Sequence, residues 1–202
     1  MKNEEPVARK RICVFCGSSP GVDPVFGDAA RALGRSMVER GLELVYGGGS
    51  VGLMGIVADE ILGRGGVVRG VIPHSLFVRE VGHRGLTECR IVSSMHERKQ
   101  IMVDLSDAFV SLPGGYGTLD ETFEALTWAQ LGIHAKPLVL VNVRGFWDHL
   151  VAACDRMVTD GFLKQENRDL LNVVATPEAA LDLIARWKQP HLVEKWITRA
   201  ER

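Results

Sequence analysis

Pro113-Gly114-Gly115-Tyr116-Gly117-Thr118-Leu119-Asp120-Glu121 sets three glycines and a carboxylate between an apolar run, Ala108–Leu112, and a helical stretch, Thr122–Leu131. Glycine lets a backbone approach a ligand closely, and a helix start offers unpaired N–H groups and the positive end of a dipole. Together they make a phosphate cradle. Glu121 lies within one turn of it. A phosphate site beside a general base points to chemistry on a nucleotide. Thr118 and Glu121 also spell a T-x-x-E capping box, in which the carboxylate only closes the helix start. Capping needs no Gly-Gly-x-Gly, so the glycines favour the chemical reading.

Three further segments join this one: Gly17-Ser18-Ser19-Pro20-Gly21, Gly47-Gly48-Gly49-Ser50-Val51-Gly52 and Ser94-Met95-His96-Glu97-Arg98-Lys99. The second matches the dinucleotide fingerprint by letter, but the strand after it ends Gly70-Val71-Ile72-Pro73, with no acid to hold a ribose, which argues against NAD. The alternative is a tight strand–helix turn. No GxxxxGK[ST] motif occurs, so a P-loop is excluded. Arg98 and Lys99 fall early in a helix, where cations oppose the dipole, so a bound anion accounts for them better than a solvated basic patch. His96 and Glu97 lack partners at metal-ligand spacing, so no metal is expected.

Elements that place these segments alternate along the chain. Strands are expected at Ile12–Cys16, Leu42–Tyr46, Val67–Ile72, Cys89–Val92, Ala108–Leu112, Pro137–Val143 and Asn172–Ala175. Helices are expected at Phe26–Arg40, Leu53–Gly63, Met95–Ser106, Thr122–Leu131, Phe146–Asp160 and Pro177–Trp187, the last with Pro177 in its first turn after Thr176. The strands are continuous apolar runs, so both their faces are buried. The pattern reads as a single-domain, Rossmann-like α/β protein: a doubly wound parallel sheet flanked by helices, over residues 11–188 with tails at 1–10 and 189–202. In such a sheet ligands bind at the carboxyl ends of the strands, where all four segments fall. Trp196 is the one tail residue expected to dock.

Composition narrows the class. The chain has 202 residues, 46% hydrophobic and 24% charged, with a formal net charge of -1, so no attraction to nucleic acid or an anionic membrane is expected. No apolar stretch is long enough to span a membrane, and the polar start, Met1–Pro6, lacks the apolar segment of a signal peptide. A cytoplasmic setting is the expectation. Of four cysteines, Cys13 and Cys16 form a CxxC inside the first strand, where side chains three apart point to opposite faces. They read as buried structural thiols.

Residues 47–55, Met95–Lys99 and Pro113–Glu121 resemble the signature of the LONELY GUY family, whose members are cytokinin riboside 5'-monophosphate phosphoribohydrolases, often mislabelled lysine decarboxylases. Trp128-Ala129-Gln130-Leu131-Gly132-Ile133-His134 is similar to the dimeric branch of that family. The likeness runs from about Ile12 to Trp187, with Asp120 standing where the family has its usual acid. The resemblance implies hydrolysis of the N-glycosidic bond of a purine nucleoside 5'-monophosphate, giving free base and ribose 5-phosphate, without a cofactor. It implies that Arg98 and Glu121 are catalytic. The amides of Gly114, Gly115, Gly117 and Thr118 would hold the 5'-phosphate, with Tyr116 and Leu119 in the same segment. Glu80, Lys99, Asp120 and Thr127 would line the substrate site. Two alternatives stay open: a general AMP nucleosidase, and a nucleotide-binding module without turnover. A homodimer is expected, both from the resemblance and because Phe123, Leu126, Trp128, Leu131 and Ile133 put apolar residues on more than one face of a helix.

Overall fold

The computed structural model describes residues 10–78 and 82–188. Seven strands form one sheet: β1 Arg11–Phe15, β2 Glu43–Tyr46, β3 Val68–Pro73, β4 Glu88–Val92, β5 Ala108–Ser111, β6 Leu138–Val141 and β7 Leu171–Val174. Every pairing is parallel, and the order is β4-β3-β2-β1-β5-β6-β7. The helices are α1 Pro24–Glu39, α2 Gly52–Gly63, α3 His74–Leu76, α4 Met95–Leu105, α5 Tyr116–Gln130, α6 Asp148–Thr159, α7 Gln165–Arg168 and α8 Pro177–Arg186.

Alternation along each strand divides the core between the two faces. Ile12, Val14 and Cys16 pack with Leu33 and Met37 of α1, Val57 and Ile61 of α2, and Leu181 and Ile184 of α8. Cys13 and Phe15 point the other way, towards Met102 and Val103 of α4, Ala125 of α5, and Trp147 and Cys154 beside and within α6. Each fully buried side chain of this size contributes about 1.5–3 kcal/mol. The CxxC thiols therefore sit on opposite faces, both free, and burial pushes both thiols up.

Caps close the helices where the sequence changes character. Asp23 accepts a hydrogen bond from the Val25 amide at 3.0 Å ahead of Pro24. Thr176 accepts from Ala179 at 3.2 Å ahead of Pro177. The short helices α3 and α7 were not expected. A larger difference concerns α5, which starts at Tyr116 rather than Thr122, capped by Gly115 with no side-chain hydrogen bond. Thr118 and Glu121 are thus inside the helix, and the T-x-x-E capping box does not form. Glycine-rich sequence reads as loop, yet at a helix start it supplies the bare amides of the first turn.

The chain leaves β1 towards β2, β3 and β4, then returns to lay β5 on the other side of β1. This reversal opens a crevice between the carboxyl ends of β1 and β5.

Candidate active site

Three loops meet at that crevice, joined by backbone alone. The Gly17 amide donates to the Pro113 carbonyl at 3.0 Å, and the Leu53 amide donates to the Gly17 carbonyl at 3.0 Å. Their glycines are needed for approach. A Cβ on Gly114 would stand 2.1 Å from Thr118 Oγ1 and 2.8 Å from the Gly17 nitrogen. One on Gly52, which also has a φ of 61°, would stand 2.3 Å from the Ser18 carbonyl carbon. The dinucleotide-like lettering at 47–52 therefore serves close packing of loops, which agrees with the turn alternative.

Gly115 and Gly117 differ: a Cβ on either would meet nothing within 4 Å. They border open space at the head of α5. The first helical hydrogen bond runs from the Leu119 amide to the Gly115 carbonyl at 3.1 Å, so the amides of Tyr116, Gly117 and Thr118 precede it. This is the geometry of an anion cradle. Tyr116 is 92% exposed at its rim. Leu119 instead packs its side chain against the core. Hydroxyl bonds anchor the helix start to β5. Thr122 Oγ1 donates to the Thr118 carbonyl at 2.6 Å and lies 2.7 Å from Ser111 Oγ.

Glu121 faces inward from the second turn of α5, and Arg98 reaches it from α4. Their side chains are 10% and 9% exposed, with Arg98 Nη2 3.2 Å from Glu121 Oε1. Met95 Sδ lies 3.6 Å from Arg98 Nη1. Arg98 Nε is buried and has no hydrogen-bond partner among the described residues. Gly47 makes room for the guanidinium, because a Cβ there would stand 1.8 Å from Nη2. Burial holds the Glu121 carboxyl above the usual range. Arg98 and Lys99 pull it down, while Asp120 and Glu124 push it up. A buried carboxylate of raised pKa beside a fixed cation suits general-base or charge-stabilising work.

Lys99 is paired as well: Nζ lies 3.1 Å from Asp120 Oδ2 and 3.0 Å from Glu124 Oε1. The two cations that the sequence places against the dipole of α4 are therefore met by carboxylates of α5. These carboxylates supply a counter-charge from within the protein. Ser94 caps α4 by accepting from the Glu97 amide at 3.2 Å, while the Glu97 carboxylate takes the Ser93 amide at 2.8 Å. Thr127 is exposed, and its hydroxyl donates to the Phe123 carbonyl at 2.7 Å. Among the described residues no hydrogen bond or ion pair joins Thr127 to Arg98 or Glu121. Glu80 lies outside the described residues. Glu124 was missed altogether, although its place three residues after Glu121 on a helix sets it near the same face.

Two clefts lie elsewhere and carry none of these groups. One, of about 420 Å³, runs along β7 and α8. The other, of about 360 Å³, lies at the amino ends of the strands between Lys10, Arg69 and Arg90.

The chain resembles known proteins along most of its length. The family model described as "Possible lysine decarboxylase" matches residues 54–184. The probable cytokinin riboside 5'-monophosphate phosphoribohydrolase LOGL1 of Oryza sativa subsp. japonica is 50% identical over 181 residues, 90% of this chain and 81% of that protein. The cytokinin riboside 5'-monophosphate phosphoribohydrolase LOG7 of Arabidopsis thaliana is 49% identical over 177 residues, 87% of this chain and 81% of that protein. Among solved structures, the molybdenum cofactor binding protein of Rippkaea orientalis superposes with a TM-score of 0.66 at 20% identity, covering 88% of this chain and 96% of that one. The last is a likeness of fold.

Proposed function

We propose, from the premise that this chain belongs to the LONELY GUY family of cytokinin riboside 5'-monophosphate phosphoribohydrolases, that it hydrolyses the N-glycosidic bond of N6-modified adenosine 5'-monophosphates. The observation that carries the reading is the buried Arg98–Glu121 pair, set beside a cradle whose Gly115 and Gly117 border open space. The 5'-phosphate takes the amides at the head of α5. The sugar then lies towards Glu121. As the bond from C1' to the base nitrogen breaks, positive charge grows on the ribose, as in glycoside cleavage. Ionised Glu121 stabilises that charge or takes a proton from the attacking water. The hydroxyl goes to C1', the base leaves with a proton, and ribose 5-phosphate remains. Arg98 is permanently charged, so it orients and stabilises rather than donating a proton.

Lysine decarboxylation fits these residues poorly. A pyridoxal enzyme needs a lysine that can be deprotonated to form an imine. Burial alone would lower the Lys99 pKa, but the bonds to Glu124 and Asp120 outweigh it and raise it. Lys136, whose pKa burial does lower, donates a hydrogen bond to the Val103 carbonyl at 2.6 Å, ahead of the amino end of β6.

The reading includes a homodimer. Phe123, Leu126 and Trp128 of α5 and Ile101 and Leu105 of α4 remain only partly buried, and a second copy would cover them. The test of function is one assay: AMP and N6-isopentenyl-AMP are incubated with the protein, and free base is followed with time. Release from the isopentenyl nucleotide, with AMP slower, is expected. Equal turnover favours a general nucleosidase, and no turnover of either overturns hydrolysis in favour of binding alone.

A further inference from the structure

Glu124 belongs to no motif and has no part in the reaction as written above. Its Oε1 nevertheless lies 3.0 Å from Lys99 Nζ, with 23% of its side chain exposed against 12% for Lys99. Asp120, the other carboxylate on that nitrogen, is 60% exposed. Charge pairs are worth more as water is excluded, so Glu124 is the stronger hold on Lys99. Arg98 and Lys99 are adjacent on α4, and their side chains leave the helix about 100° apart. Each meets a different part of α5, Arg98 taking Glu121 and Lys99 taking Glu124 and Asp120.

We propose that Glu124 is a positioning residue which, through Lys99, locks α4 against α5 and keeps the lysine out of contact with Glu121, leaving Arg98 as the cation that touches that carboxylate. The inference rests on the reading that Glu121 serves the reaction. Among the described residues, the charged or titratable groups acting on Glu121 or acted on by it are Arg98 and Lys99 of α4, Asp120 and Glu124 of α5, and the thiols of Cys13 and Cys16 at β1. Neutralising Glu124 removes one negative charge that favours protonated Glu121. Among the described residues it also leaves Lys99 paired with exposed Asp120 alone, so the ammonium is free to approach Glu121. Both changes push the Glu121 pKa the same way, down.

The experiment is a carboxyl ¹³C titration of Glu121 in the wild type and in Glu124→Gln, the resonance being assigned by its absence in Glu121→Gln. It is read together with kcat and KM on AMP across pH. The expected result is a Glu121 midpoint lower by roughly half a pH unit or more, the scale of one nearby charge. The acid limb of kcat should move with it, and kcat should fall several-fold while KM changes by less than about threefold, as for a lost positioning contact. Glu124→Asp keeps the charge on a shorter arm, so its midpoint should stay near the wild-type value. It stands in if the Gln variant does not fold, where a shift as large as a lost charge would count against the proposal. An unmoved midpoint with unchanged kcat, or a loss of thermal stability alone, overturns the proposal. If the wild type releases no base, the hydrolase reading falls, while the carboxyl titration still decides whether Glu124 governs Glu121.

Discussion

Burial raises the Glu121 pKa above its usual 4.5, and Arg98, 3.2 Å away, offsets part of that rise. The folded chain therefore holds a proton that the unfolded chain releases, and stability falls as pH rises from 4.5 through the raised folded value. Glu121→Gln removes this dependence. Its melting temperature relative to the wild type should climb between pH 4 and pH 8, and a flat difference would count against a raised carboxyl. The same variant should lose at least ~10²-fold in base release, the low end for a general base, while still binding AMP. The structure simplifies this test, because Glu121 is inside α5 and caps nothing. Arg98→Ala should lower kcat and also weaken AMP binding, since it removes a charge present before reaction begins. The types of these two residues, and their nearness to glycine-rich turns, were legible in the sequence. Which cation meets which carboxylate was not, because the partners of Lys99 lie 21 and 25 positions away and only the packing of α4 on α5 joins them.

At the scale of the element, the glycines divide by what a Cβ would meet. Gly117 borders open space in the first turn of α5. Gly117→Ala should leave the fold intact, or stabilise it by up to ~1 kcal/mol through helix propensity. It should also crowd the cradle and weaken AMP binding at least tenfold. Normal affinity, measured by calorimetry, would show that the phosphate lies elsewhere. Gly47 has no positive φ, so its backbone accepts alanine, but the methyl would displace Arg98. Gly47→Ala should therefore copy the kinetic defect of Arg98→Ala, and near-normal kcat would argue that the guanidinium position is unimportant. Sequence reasoning placed both loops at strand ends because apolar runs with two buried faces mark parallel strands. It misplaced the start of α5 by six residues, since Gly115, Tyr116 and Gly117 carry weak helix propensity and no side-chain cap to announce the turn.

The whole molecule follows from one reversal in strand order. The crevice exists because β1 is flanked by β2 on one side and β5 on the other. The alternation of apolar runs and helices made the parallel sheet legible, whereas the order across the sheet comes from the packing of α1, α2 and α8 on one face and α4, α5 and α6 on the other. If a second copy covers the partly buried residues of α4 and α5, light scattering at micromolar concentration should give twice the chain mass of 22.2 kDa. A stable monomer would remove the dimer from the account. The phosphate cradle beside Glu121 is the centre of the account, and comparing N6-isopentenyl-AMP with isopentenyladenosine tests it most directly. Charge-assisted bonds to the phosphate contribute roughly 1.5–3 kcal/mol each, much of it spent positioning C1' over Glu121. The account predicts that base is released from the monophosphate, one for one with ribose 5-phosphate, and orders of magnitude more slowly from the riboside. Comparable rates on the two would contradict it.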